Sequence, residues 1–240
     1  QAWGPGAVWL GERLPALFGA QDDPAGFEAP AVLAATAKAH AGWRAGRTDR
    51  VLEALIPAIL EQKVTGKEAW LGWRTLVREF GEPAPGGGAA PTTLWVFPAP
   101  EVWRQIPSWA WHKASVDSKR SAAVLRAVDL VDALEAVTYG SAIDAHHRLR
   151  TIDGVGIWTA AETCQRALGD PDAVSYRDSH LAREVVYVFA GEREGTVQQM
   201  APLLLPYAGH RYRVQRLVEL SGHKRPRRGP KTTFQDMRLI

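Results

Sequence analysis

A helical spacing of apolar residues recurs along this chain and sets its fold class. Leu52, Leu55, Ile56, Ile59 and Leu60 fall on one helical face, and Ala122, Leu125, Val128, Val131 and Leu134 repeat the pattern. Steps of three and four residues match the 3.6-residue turn, so each run predicts an amphipathic helix and the expected architecture is all-α. With 240 residues and 46% hydrophobic content, the chain can bury a sizeable core as one large or two small domains. No internal repeat is visible.

Glycine and proline punctuate the pattern. "GEPAPGGGAAPTT", from Gly81 to Thr93, cannot sustain a helix and reads as a surface loop. Residues 1–48, with "WGPGAVWL" and "FGAQDDPAGFEAP", are less periodic and predict a mostly irregular N-terminal segment, the end of a preceding subdomain. Residues 49–240 then form the helical core. The chain begins at Gln1 rather than methionine, as a piece of a longer protein would.

The single cysteine, Cys164, excludes an intramolecular disulfide, a four-cysteine zinc site and a cysteine-ligated iron–sulfur cluster, and fits a reducing cytoplasm. It sits in an apolar helical pattern and is expected to be a small buried hydrophobe. No apolar run approaches a membrane span, and no signal peptide is expected. The net charge of +3 says little about partners, but its distribution is uneven. Between Arg211 and Lys231 lie eight basic residues, Arg211, Arg213, Arg216, Lys224, Arg225, Arg227, Arg228 and Lys231, against one acid, Glu219. A solvated tail at 222–240 and a polyanion-binding surface both fit this run.

The most informative stretch runs from Thr151 to His180, "TIDGVGIWTAAETCQRALGDPDAVSYRDSH". Ser141 can cap a helix through Leu149. Gly154-Val155-Gly156 makes a tight turn, a second helix follows from Ile157 to Leu168, and Asp178 opens another. The hairpin as a whole spans 149–168. Backbone N–H groups at the second helix start have no intrahelical acceptor, and glycine lets an anion approach them. A Gly-x-Gly turn also serves as a compact connection between helices, so the turn alone does not decide.

The residues around it narrow the choice. "LRTIDGVGIWTA", Leu149 to Ala160, resembles the helix-hairpin-helix of the DNA base-excision glycosylase superfamily, and in particular the 3-methyladenine DNA glycosylase II family. That family places an aspartate 22 residues after the second hairpin glycine, the separation of Asp178 from Gly156. "PAILEQKVTGKEA" resembles the family's helix and DNA-intercalating loop, while "IPSWAWHKASVDSKR" and "PYAGHRYRVQRL" resemble later segments, so the likeness covers about residues 52–240. Asp153 replaces the usual proline before the hairpin, and Tyr176 and Arg177 stand where small residues are commoner.

The resemblance implies specific roles. Cleaving an N-glycosidic bond builds positive charge on the deoxyribose, and Asp178 is the expected catalytic carboxylate. As an aspartate opening a helix it also reads as an N-cap, and the two roles are compatible. Bifunctional relatives resembling endonuclease III or 8-oxoguanine glycosylase carry a Schiff-base lysine where this chain has Trp158, whose indole cannot form one, so a monofunctional enzyme is expected. Trp158, Trp109, Trp111 and Tyr176 are the expected substrate-binding aromatics for a cationic alkylated purine. Ordinary core packing is the competing role for the Trp109/Trp111 pair. Lys63, the residue after Gln62, would fill the gap where the base is flipped out, Gln62 would contact the DNA beside it, and Gly154, Gly156, Thr159 and Arg211 would hold phosphates. No organic cofactor or catalytic metal is expected, and His146-His147 reads as a solvated helix face, although a monovalent cation at the hairpin suits the motif. The expected partner is double-stranded DNA containing a damaged base, bound by a bacterial, cytoplasmic monomer. A non-catalytic module gripping damaged or bent DNA, and a glycosylase for uracil, hypoxanthine or a bulky adduct, use the same features.

Overall fold

The computed structural model describes residue 2, residues 4–86, residues 93–223 and residue 225. Among these residues thirteen α-helices follow in order: α1 Ala7–Leu17, α2 Ala34–Ala39, α3 Val51–Leu60, α4 Gly66–Phe80, α5 Pro100–Gln105, α6 Ser108–Lys113, α7 Ser118–Asp129, α8 Val131–Glu135, α9 Ala142–Leu149, α10 Ile157–Ala167, α11 Ser179–Ala190, α12 Val197–Leu204 and α13 Arg211–Leu220. The fold is all-α, with short 3-10 turns between helices and one two-residue antiparallel pairing. That pairing, β1 Glu82–Pro83 with β2 Trp95–Val96, closes the stem of the loop expected at 81–93. Gly81 permits it, because a Cβ there would lie 2.4 Å from the Val96 carbonyl oxygen. Among the described residues no helix is long and apolar enough to cross a membrane.

Among the described residues the chain parts into two compact units, one built from those up to 14 and from 49–155, the other from 15–48 and from 156 onward. In the first, α3 is the central helix. Every residue of it except Glu53 and Pro57 is buried, as expected of a helix apolar on nearly all sides. It packs against α4, α7 and α8. Helix α4 begins with a capping box, Thr65 Oγ1 accepting from the Glu68 amide and Glu68 from the Thr65 amide, the pairing that "TGKE" encodes. Trp73, Phe97, Trp103 and Trp111 form a ring cluster with centroids 5.5–6.3 Å apart. Arg120, on α7, is buried beside Asp117 and donates to the carbonyls of Leu60 and Ser115, which closes the C-terminus of α3.

In the second unit, α11, α12 and α13 bury Leu181, Val185, Val186, Met200, Leu204, Val214 and Leu217 around Leu33 and Val174. The N-terminal segment, expected to be mostly irregular, carries helices α1 and α2, and its stretch from Pro15 onward is built into this unit. Asp22 accepts from Arg213 at 2.6 Å and from the Ala45 amide at 2.9 Å, and the Arg213 guanidinium faces Phe27 and Trp43 at 5.6 and 5.5 Å. Both members of the ion pair are almost fully buried, with side-chain exposures of 5% and 0%. Asp22→Ala strands the arginine without its counter-charge, and about 3 kcal/mol of stability should be lost in urea titration. A loss below about 1 kcal/mol would mean that the aromatic faces and the His210 Nδ1, which accepts from Arg213 Nε at 3.4 Å, hold the guanidinium alone.

The basic tail expected at 222–240 lies, apart from residues 222, 223 and 225, outside the described residues, and with it Lys224, Arg227, Arg228 and Lys231.

Candidate active site

The hairpin forms as its residues predict. Ser141 Oγ accepts from the Asp144 amide at 3.1 Å and starts α9. Helix α9 ends at Leu149, the Val155 amide closes a turn on the Ile152 carbonyl at 2.9 Å, and α10 starts at Ile157. Gly154 has φ +95°, a left-handed backbone that favours glycine, and a Cβ there would lie 2.7 Å from the Ala123 Cβ. Gly156 is the extended residue before α10, with open space where a Cβ would be and no side chain to cap the helix. An anion approaching this helix start meets backbone N–H groups and the positive end of the helix dipole.

Two side chains brace the hairpin turn. Gln62 Nε2 donates to the Gly154 carbonyl at 2.8 Å, and Arg126 donates to the Asp153 carbonyl at 3.0 Å. Gln62, expected at the DNA, thus also ties the loop after α3 to the hairpin. Lys63 beside it is exposed and holds a left-handed backbone, φ +58°, sparsely populated by non-glycine residues. Arg126 was not singled out by sequence reasoning, since nothing in "VLRAV" separates it from an ordinary solvated helix arginine. Only the fold brings its exposed guanidinium to the hairpin. Thr159 is buried, which removes its side chain from the surface.

The aromatic candidates divide. Trp109 and Trp111 stand two residues apart on α6, about 200° around a helix, so one face cannot hold both. Trp109 is 60% exposed, with the Lys113 ammonium 6.0 Å from its ring, whereas Trp111 is buried, stacked on Trp103, and donates its indole N–H to the Ile106 carbonyl at 3.2 Å. Trp111 also lines a cavity of about 520 Å³ with Ile106, His112 and Asp117. Trp158 is half-buried in the first turn of α10. Tyr176 packs against the second unit's apolar core and reaches Arg211.

Arg211 is committed within the protein. Its guanidinium makes a two-pronged pair with Asp172, whose carboxylate also accepts from the amides of Gly209 and Arg211. Burial works to raise the Asp172 carboxyl, but the hydrogen bonds and charge of Arg211 outweigh it and hold the group below the usual carboxylate range. The same hydrogen bond raises Arg211 further above neutrality. Arg211 therefore fastens the loop after α10 to the start of α13, and most of its charge is spent there. Burial, then the Asp170 carboxylate, pushes the Cys164 thiol up to about 12, so this cysteine is an inert packing residue.

Asp178 is the N-cap of α11. Its Oδ1 accepts from the amides of His180 at 2.7 Å and Leu181 at 3.2 Å, and its own amide donates to the Ser175 carbonyl at 3.1 Å. Among the described residues both hydrogen bonds to the carboxylate fall on Oδ1. The preceding Arg177 has φ +74°, a second left-handed residue that is not glycine. Asp178 lines a cavity of about 250 Å³ with His180, Leu181, Glu184, Val218, Glu219 and His223. Among the described residues no group of three or more His, Cys, Asp or Glu side chains could hold a metal ion.

No protein-family model matches the chain, and no curated protein matches it in sequence. Solved structures do. A 3-methyladenine DNA glycosylase from Archaeoglobus fulgidus superposes with a TM-score of 0.70 over 91% of this chain and 76% of its own, at 16% identity. An 8-oxoguanine glycosylase/lyase from Clostridium acetobutylicum, bound to double-stranded DNA, gives 0.71 over 89% and 74%, at 12% identity. The Schizosaccharomyces pombe 3-methyladenine DNA glycosylase Mag1, bound to abasic DNA, gives 0.58 over 70% and 78%, at 17% identity. The fold is therefore that of the helix-hairpin-helix DNA glycosylases.

Proposed function

We propose that this protein is a monofunctional DNA glycosylase that excises alkylated purines, of the 3-methyladenine and 7-methylguanine class, from double-stranded DNA. The observation that carries the reading is Asp178, a carboxylate locked by two amide hydrogen bonds at the start of α11 and lining a cavity. The glycosylase fold supplies its context.

The chemistry follows from that carboxylate. As the glycosidic bond lengthens, positive charge develops on the sugar, and a fixed negative group stabilises it without having to reorganise during the reaction. The same oxygen can orient the water that attacks C1′. Because Oδ1 carries both capping bonds, Oδ2 is the oxygen available to the sugar. Alkylated purines are cationic and depart without protonation, which suits a site whose essential group is a carboxylate. The indole of Trp158 cannot form a Schiff base, so the expected product is a free base and an intact abasic strand.

DNA is held through its backbone. The amides at the start of α10 receive a phosphate, so affinity should fall as salt rises. Lys63, on its exposed left-handed turn after α3, fills the space of the flipped nucleotide with its methylene stem. No organic cofactor enters this scheme. A monovalent cation at the hairpin would be held by backbone carbonyls of the turn, of which those of Asp153 and Gly154 already accept one hydrogen bond each, from Arg126 and Gln62.

The test is incubation with duplex DNA containing 7-methylguanine, measuring released base and counting strand breaks before and after alkali. Base release with breaks only after alkali supports the proposal. Breaks before alkali would contradict the monofunctional mechanism. Tight binding without release of any lesion base would make the protein a DNA-gripping module.

A further inference from the structure

The segment that presents Asp178, residues 173–178, has no regular secondary structure, so its backbone polar groups must find partners elsewhere. Buried side chains supply them. Gln165, on α10, donates through Nε2 to the Ala173 carbonyl at 2.6 Å and to Ser175 Oγ at 2.9 Å. Gln215, on α13, accepts the Ser175 amide at 3.2 Å and donates to Glu219 at 3.1 Å. The Ser175 hydroxyl donates to Glu162, whose other oxygen takes Arg166 at 2.7 Å. Glu162, Gln165, Ser175 and Gln215 are each less than 10% exposed.

We infer that this cluster, centred on the Ser175 hydroxyl, positions the Asp178 carboxylate, an inference that rests on the glycosylase reading of Asp178. Four polar side chains buried together stabilise a fold no better than aliphatic residues of the same volume, but they specify one geometry. The geometry specified is a demanding one. Ser175 accepts the Asp178 amide through its own carbonyl, and within that turn Arg177 keeps a left-handed backbone that persists only where its surroundings over-determine it. Glu162 and Gln165 lie on α10, so the helix that begins at the hairpin also anchors the turn carrying the carboxylate. Glu162 and Ser175 are positioning residues. Neither needs to touch the substrate.

Two readouts on Ser175→Ala test this. The first is hydrogen exchange at the amides of His180 and Leu181, which donate to Asp178; exchange there should rise roughly tenfold while α3 amides stay as in wild type. The second is single-turnover release of 7-methylguanine, which should fall roughly tenfold with DNA affinity unchanged. Glu162→Gln keeps an oxygen for the Ser175 hydroxyl and should stay within about threefold of wild type in both. Should Ser175→Ala fail to fold, Gln215→Met, which removes the acceptor of the Ser175 amide, is read in the same way. Unchanged exchange at His180 and Leu181, or an equal rise throughout the chain, overturns the inference. If wild type releases no base while exchange still rises at those two amides, the glycosylase reading fails and the positioning role stands.

Discussion

Asp178→Asn is expected to lower the single-turnover rate of base release by at least about a hundredfold, the usual consequence of removing one preorganised charge from a transition state. The substitution is nearly isosteric and asparagine caps a helix as well as aspartate does, so the amides of His180 and Leu181 keep an acceptor. The melting temperature should therefore move by no more than a few degrees, and affinity for undamaged duplex should be unchanged. Asp178→Ala loses both functions, adding about 1 kcal/mol of cap stability to the catalytic loss. An asparagine variant that still releases base within about tenfold of wild type would remove Asp178 from the chemistry.

The second large effect concerns the grip on DNA. Gly154→Val places a β-branched residue at φ +95° and drives its Cβ to 2.7 Å from the Ala123 Cβ. Strain of about 1–3 kcal/mol falls on a turn whose carbonyl also holds Gln62. The turn should relax, the hairpin amides should lose their alignment, and Kd for duplex DNA should rise at least about tenfold, equivalent to about 1.4 kcal/mol. Adding Ala123→Gly removes the contact but leaves the unfavourable φ, so affinity should return only in part. Binding within about twofold of wild type by Gly154→Val would show that this turn does not hold the phosphate.

The hairpin and Asp178 were legible in the sequence because their determinants are local. A left-handed turn selects glycine at Gly154, and Asp178 opens α11 by bonding amides two and three residues ahead. Interactions of such short range leave a mark at fixed spacing. Helix α3 was legible for the same reason and buries Leu52, Leu55, Ile56, Ile59 and Leu60. The second apolar run instead breaks at Leu130 into α7 and α8 and leaves Ala122, Leu125 and Val131 only partly buried, because α7 turns Ala123, Val124 and Ala127 inward.

The partners of those elements were not. Trp109 and Trp111 looked alike in a tryptophan-rich sequence, and only the packing of α6 against α4, which stacks Trp111 on Trp103, turns one inward and leaves the other in solvent. Arg211 read as one of a run of cations, until Asp172, 39 positions earlier, was found across its guanidinium. The N-terminal stretch, poor in periodicity, is anchored by Asp22 to Arg213, a pair 191 positions apart.

By itself, then, the sequence determined an all-α chain, a glycine hairpin and a helix-capping aspartate, because helix periodicity, turn chirality and capping act over a few residues. Only the tertiary structure decided which tryptophan is core, which arginine is already paired, and that Glu162, Gln165 and Gln215 converge on Ser175 below Asp178. Burial and charge pairing depend on segments far apart in the chain, and no local pattern records which of them will meet.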